Sequence, residues 1–184
     1  MEKSNFDKSV IDLTKQWINN FVVKLNLCPF AQKAIGKDSI LYSICYETEV
    51  IPILESLQSL FLKLQESETY STGFIIFPTT LQSFENYLSI LDISQEFLET
   101  SGWYEKYQLA SFHPKYLFEG EDPEHHSHFT NRSPYPMLHI LDVDEVSFAI
   151  EQYPDTEQIP IRNKAKLNQM TLLEIEKIIG EENQ

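Results

Sequence analysis

Cysteine, arginine and long apolar runs are all scarce in this chain. Two cysteines, Cys28 and Cys45, are too few for the disulfide framework of a small secreted domain. No stretch approaches the roughly 20 apolar residues of a membrane span. The first residues, MEKSNFDKSVIDLTKQ, are charged throughout and contain no apolar leader. Basic residues are in short supply, 14 against 28 acids, for a net charge of −14. That balance argues against nucleic acid and anionic membranes as partners, because both are bound through clustered Lys and Arg. A small anion is still possible where the few cations are well placed. No phosphate-cradling glycine loop, G-x-S-x-G elbow, H-E-x-x-H helix or C-x-x-C pair occurs, so the usual nucleotide-cofactor and zinc-protease signatures are absent. The expectation is a reduced, cytoplasmic protein.

What is present is an ordinary globular composition. The 184 residues are 42% hydrophobic and 12% aromatic, too apolar for disorder and enough for one good core. With no repeat or linker, residues 1–184 read as one domain, frayed over 180–184. Val10, Leu13, Trp17, Ile18, Phe21, Val22 and Leu25 follow the helical period, predicting a helix over 5–25. The segment 39–46 alternates like a strand, and Leu54, Leu57, Leu60, Phe61 and Leu64 mark a second helix. GFIIFP at 73–78 is a buried strand, Phe84, Tyr87, Leu88 and Leu91 begin a third helix, and YQLASF at 107–112 is a third strand. MLHIL at 137–141 is a candidate fourth strand. Asp142 with Glu145 resembles a capping box opening a helix that Pro154 ends, and Pro160 suits the first turn of a last helix closing near Gly180.

This order predicts an α/β fold: a small, largely parallel sheet of three or four strands flanked by helices, with a long Pro- and His-rich loop after the third strand. In open α/β sheets ligands bind outside the carboxyl ends of the strands. His113 follows the third strand directly and should stand on that edge. The loop from Pro114 to Tyr135 lacks helical or strand period, and connections that long are usually functional or disordered. All five histidines fall between His113 and His139, together with four prolines and Arg132.

Each candidate in this region has two readings. His113 is either an acid/base or metal ligand, or a loop histidine bonded to a backbone carbonyl. His139 shares a strand face with Met137 and Leu141, and is either a partner for His113 or a buried, hydrogen-bonded core histidine. His125, His126 and His128 form a tract beside Glu121, Asp122 and Glu124 without the fixed spacing of a zinc motif, so adventitious metal binding on a solvated loop is the plainer reading. Arg132 and Arg162, the only arginines, offer forked donors for a carboxylate or phosphate, with Asn131, Ser133 and Tyr135 beside Arg132; otherwise they staple the loop to carboxylates. Cys28 precedes Pro29, which would open a short helix with Cys28 as its N-cap, where a thiol is acidified; otherwise it is a small buried hydrophobe. Cys45 reads as core.

The segments LNLCPFA at 25–31, FHPKYLFEG at 112–120, TNRSPYPMLHIL at 130–141 and IPIRNKAKL at 159–167 together resemble domain-of-unknown-function family 1415, over about residues 10–170. The resemblance raises the standing of Cys28, His113, Arg132 and His139, and does not extend to His125, His126 and His128. It departs after His139-Ile140-Leu141, where Asp142 replaces the family's usual basic residue. It implies no reaction.

Taken together these readings predict an enzyme acting on a small polar, anionic molecule. His113, His139 and Cys28 would be catalytic, and Arg132, Asn131, Ser133, Tyr135 and Arg162 would bind substrate. Two rival readings stand beside it. One is a metal-centred protein holding zinc or iron on His113, His139 and Cys28 or a carboxylate. The other is a non-enzymatic binding module. The enzyme reading requires that segments far apart in sequence converge in space.

Overall fold

The computed structural model describes residues 2–28, 31–152 and 155–180. The Pro154 helix stop, the Pro29 helix start and the frayed 181–184 tail lie outside these residues. Helix α1 covers Glu2–Trp17 and passes directly into a π-helical segment, Ile18–Val23. The apolar period of 5–25 therefore does not belong to one regular helix. The wider π turn brings Ile18, Phe21 and Val22 onto the buried side together. Asn26, in the turn that follows, has φ 50°, a left-handed conformation that asparagine tolerates. The short helix α2 spans Ala31–Gly36.

The strands are β1 (Ile40–Ile44), β2 (Thr72–Ile76), β3 (Tyr107–Phe112) and β4 (Met137–Asp142), in sheet order β1-β2-β4-β3. Helix α3 (Val50–Gln65) joins β1 to β2, and α4 (Phe84–Thr100) leads toward β3. The fold is α/β, but the sheet is mixed rather than largely parallel. Only β1 and β2 form a parallel pair; β4 runs antiparallel to both its neighbours. The reason lies in the connection. The first three strands do share one direction, but the chain returns from β3 to β4 along the same sheet edge, and a return without a crossover must be antiparallel. β4 then inserts between β2 and β3.

The two sheet faces bury separate cores. On one face Ile75, Phe77, Leu138 and Ile140 pack with Ile53, Leu57, Leu60 and Phe61 of α3 and Tyr87 and Leu91 of α4. On the other, Phe74, Ile76 and Met137 pack under Val10 and Trp17 of α1 and under Phe21 and Val22 of the π segment. Three more helices follow β4: α5 (Val143–Gln152), α6 (Gln158–Asn168) and α7 (Leu172–Gly180). Asp142 opens α5 as its sequence suggests, Oδ1 accepting from the amides of Asp144 and Glu145 at 2.9 and 3.0 Å. The expected single last helix is two, because Thr171 and Glu174 form a reciprocal capping box that starts α7 afresh. Leu167 and Ile175 complete the second core. Among the described residues no helix is long and apolar enough to cross a membrane.

Gly73 marks the tightest point between α3 and the sheet. A Cβ there would lie 3.2 Å from both the Leu41 carbonyl oxygen and Leu64 Cδ1. Gly73→Val is therefore expected to lower the unfolding free energy by ~1–3 kcal/mol through overpacking, measurable as a shifted urea midpoint. An unchanged midpoint would show that α3 is not seated this closely.

Candidate functional site

His113 stands at the carboxyl end of β3, as expected, but is fully buried and committed to backbone. Its Nδ1 accepts from the Lys115 amide at 2.9 Å, which leaves the proton on Nε2 to be donated to the Leu81 carbonyl at 3.1 Å. Leu81 sits at φ 56°, an unusual conformation for a branched residue, and His113 holds it there. Phe84 and Tyr87 enclose the ring, each with its centroid 5.1 Å away. Burial pushes the imidazole pKa down, with the Leu81 carbonyl opposing. This side chain positions the loop before α4.

The long loop is anchored by the same means. His128 is fully buried rather than solvated: Nδ1 accepts from the Phe118 amide at 3.0 Å and Nε2 donates to the Asp122 carbonyl at 2.8 Å. The other two histidines of the tract reach α6. His126 Nδ1 lies 3.2 Å from the Leu167 carbonyl, and His125 Nε2 lies 3.2 Å from Asn168 Nδ2. Lys164 adds an ion pair to Glu121 at 2.5 Å. Asn131 donates to the Ser111 carbonyl at 3.0 Å while its own carbonyl accepts from the His113 amide, and Ser133 Oγ donates to the Tyr135 carbonyl at 2.6 Å. These polar groups are occupied in shaping the loop.

Helix α6 also grips the segment before Cys28. Lys166 Nζ donates to the Leu25 carbonyl at 2.6 Å, Arg162 to that of Asn26 at 3.3 Å, and Asn163 Nδ2 to that of Leu27 at 2.6 Å. Three successive carbonyls past a helix end would otherwise need water, and two cations meet the negative end of the helix dipole. Arg162 is thus a staple, but to backbone rather than to a carboxylate. Cys28 follows this braced turn as a half-buried free thiol packed against the second core, and its carbonyl accepts from Ala31 at the start of α2.

Arg132 is held differently. Its Nε donates to the Tyr116 carbonyl at 3.2 Å and its guanidinium lies over the Phe129 ring, 4.6 Å from the centroid. Among the described residues no carboxylate lies within ion-pair distance of its guanidinium. Burial lowers its pKa, and Glu124 opposes this at longer range.

His139 lies on the second face, its ring stacked on Phe74 with 4.0 Å between centroids. Thr72 Oγ1 donates to the Ile140 carbonyl at 2.6 Å, so it must accept from His139 Nε2 at 2.8 Å, leaving Nδ1 unprotonated. Burial pushes its pKa down to about 3. Alternation along β3 and β4 puts His113 and His139 on opposite faces of the sheet. The two cannot be acid/base partners or share a metal ion, which corrects the expected pairing. Among the described residues no group of three or more His, Cys, Asp or Glu side chains is placed to hold a metal.

The second face instead gathers Cys28, Tyr135, His139 and, through Phe129, Arg132. Sequence reasoning overlooked two residues here, Trp17 and Thr72. Trp17 reads as plain core because its polar atom leaves no periodic signal. Yet its Nε1 is buried and, like Asn163 Oδ1, has no partner among the described residues. An open polar groove of about 400 Å³ between β1 and α3, lined by Ser43, Glu47, Glu55 and Lys63 among others, contains none of the residues singled out in the sequence.

A family model described as "Protein of unknown function (DUF1415)" matches residues 9–177. No curated protein and no solved structure matches the chain.

Two outcomes follow from the histidine geometry. His113→Leu would orphan the Leu81 carbonyl and the Lys115 amide, at a cost of about 1–3 kcal/mol each, read by urea unfolding. A midpoint equal to the wild type would return His113 to the list of uncommitted groups. His139 stays neutral in the folded protein, whereas the unfolded chain takes up a proton below the ordinary value of 6.5. Its contribution to stability is therefore full above that value and is lost as pH falls toward about 3. His139→Gln should flatten the acid limb of stability against pH; an unaltered slope would mean that the ring titrates normally.

Proposed function

The chain belongs to the DUF1415 family, and we propose that it is a cytoplasmic enzyme acting on a small anionic molecule held by Arg132, with Cys28 as its reactive thiol. The site lies where the loop from β3 to β4 crosses the carboxyl edge of the sheet on the α1–α6 side. The observation that carries this reading is the unpaired fork of Arg132. The sequence contains 28 acids, yet none of the described carboxylates pairs with this guanidinium. A half-buried cation without a counter-ion is costly, and a ligand carboxylate or phosphate would offset that cost with charge-assisted, bidentate hydrogen bonds. One face of the group is already fixed on Phe129 and its Nε on Tyr116. Little side-chain freedom remains to be lost on binding.

Cys28 supports the enzymatic part of the reading. It is half-buried, unpaired and mounted on a turn whose carbonyls are braced by three side chains of α6. Thiolate is the reactive form of a cysteine. Tyr135 closes the same side of the core as a half-buried phenol whose pKa burial raises, so it stays protonated and able to donate. His113 enters this scheme as a positioning residue through Leu81, not as an acid/base group. Two free thiols and the absence of a long apolar helix among the described residues are in keeping with a reducing, aqueous compartment.

The test uses tag-free protein and iodoacetamide, with buried Cys45 as internal control. Phosphate or a small carboxylate at saturation should slow alkylation of Cys28 by about tenfold or more, read by intact mass. Arg132→Gln should abolish the protection, and Arg132→Lys should restore part of it by keeping the charge without the fork. Alkylation unaffected by every anion tried would sink the anion site. Protection without any elevated thiol reactivity would leave a binding module rather than a thiol enzyme.

A further inference from the structure

The second face holds an aromatic group that anion binding alone does not explain. The His139 ring lies nearly parallel to Phe74, at 9° and 4.0 Å, and its centroid is 6.3 Å from that of Phe112. Trp17 meets Phe112 edge-on at 5.3 Å. Two polar atoms of this group are unused among the described residues. Trp17 Nε1 is a donor on a side chain only 3% exposed, with no partner. His139 Nδ1 is an acceptor, because Thr72 consumes the proton on Nε2. Buried indole N–H groups usually find a partner, and one left open next to an aromatic wall marks a place for a ligand atom. Trp17 is also the residue at which α1 gives way to the π segment, a distortion that concentrates at functional sites. Ala110 pairs with His139 across β3 and β4 and is the smallest side chain on this face; both are partly exposed, which leaves an approach from the β3 edge.

We infer that the molecule held by Arg132 is a planar heteroaromatic acid, whose ring lies among Trp17, Phe112 and His139 with a ring nitrogen accepting from Trp17 Nε1 and an N–H donating to His139 Nδ1. The inference rests on the Arg132 reading and adds the rest of the ligand. Flat rings recognised by offset stacking and edge contacts suit this wall, whereas an aliphatic acid would leave both polar atoms unpaired. A benzene ring would meet the aromatic wall but satisfy neither atom. The site therefore ranks ligands by ring nitrogen as well as by charge.

Calorimetric binding of acetate, benzoate, nicotinate and an aminonicotinate to tag-free full-length protein tests this. Aminonicotinate and nicotinate should bind at least about tenfold more tightly than benzoate, and benzoate more tightly than acetate. Trp17→Phe keeps a ring against Phe112 and should erase the preference for nicotinate over benzoate. If that variant fails to fold, His139→Phe, which keeps a ring on Phe74 but has no acceptor, should erase the preference for aminonicotinate over nicotinate. Arg132→Gln should weaken all four acids alike. Equal binding of benzoate and nicotinate, or a preference that survives both ring variants, overturns the heteroaromatic assignment and leaves the Arg132 reading standing. No binding of any acid removes both.

Discussion

The grip of α6 on the chain around Cys28 is the constraint on which the rest of this face depends. The turn that follows the π segment leaves three successive carbonyls, of Leu25, Asn26 and Leu27, without a helical partner. Lys166, Arg162 and Asn163 take them in order. The same helix, through the Leu167 carbonyl, Asn168 and Lys164, takes hold of the histidine tract and Glu121. One short helix thus ties the two chain segments that carry Cys28 and Arg132, although they are about a hundred residues apart in sequence. A brace of side chains on backbone oxygens fixes position, and Lys166 and Arg162 also bring positive charge to the turn before Cys28. It also explains why a motif with arginine and asparagine side by side need not touch a ligand.

The sheet imposes a second constraint by dividing the histidines. His113 and His139 sit on strands that pair with each other, yet the two-residue alternation of β3 and β4 sends them to different cores. Each is held neutral by burial. His113 spends both ring nitrogens on backbone, and His128 does the same in the loop. A histidine offers one donor and one acceptor at fixed angles, which is what an irregular segment needs when it has few glycines to turn on. In this chain the concentration of histidine is chiefly a way of folding a long loop against a sheet edge. His139 differs from His113 and His128: among the described residues its Nδ1 has no partner.

These outcomes mark what the sequence could and could not disclose. Strand β3 was legible to the residue although it is a half-exposed edge strand, and β2 and β4 nearly so, because these buried strands are short apolar runs between sharp boundaries. Asp142 declared the start of α5. The Thr171–Glu174 box was equally present as a Thr-x-x-Glu spacing and went unread because Pro160 and Gly180 suggested a single helix. The antiparallel return of β4 had no local signal, since strand direction is decided by where the loop lands. The π segment was invisible for a different reason: its apolar residues fit an α period well enough. Of the candidate residues, Cys28, Arg132, Tyr135 and His139 could be brought to one face only by the fold. The commitments of Asn131, Ser133 and Arg162 to backbone carbonyls could not be read from residue type at all.

A net charge of −14 sets the terms on which such a site can work. At physiological ionic strength the screening length is about 8 Å, so the summed acidity slows the approach of an anion but hardly acts within the site. Affinity must then come from short-range contacts in a desolvated place, where a single guanidinium counts for more than it would on the surface. Half-burial of Arg132 against Phe129 and Tyr116 supplies that setting. Long-range repulsion also has a selective effect. It disfavours polyanions such as nucleic acid, whose binding depends on many exposed cations, more strongly than it disfavours a ligand with one acid group. The acidic surface and the partly buried Arg132 are therefore compatible with the proposed site: the first would screen out large anions, and the second would be left to hold a small one.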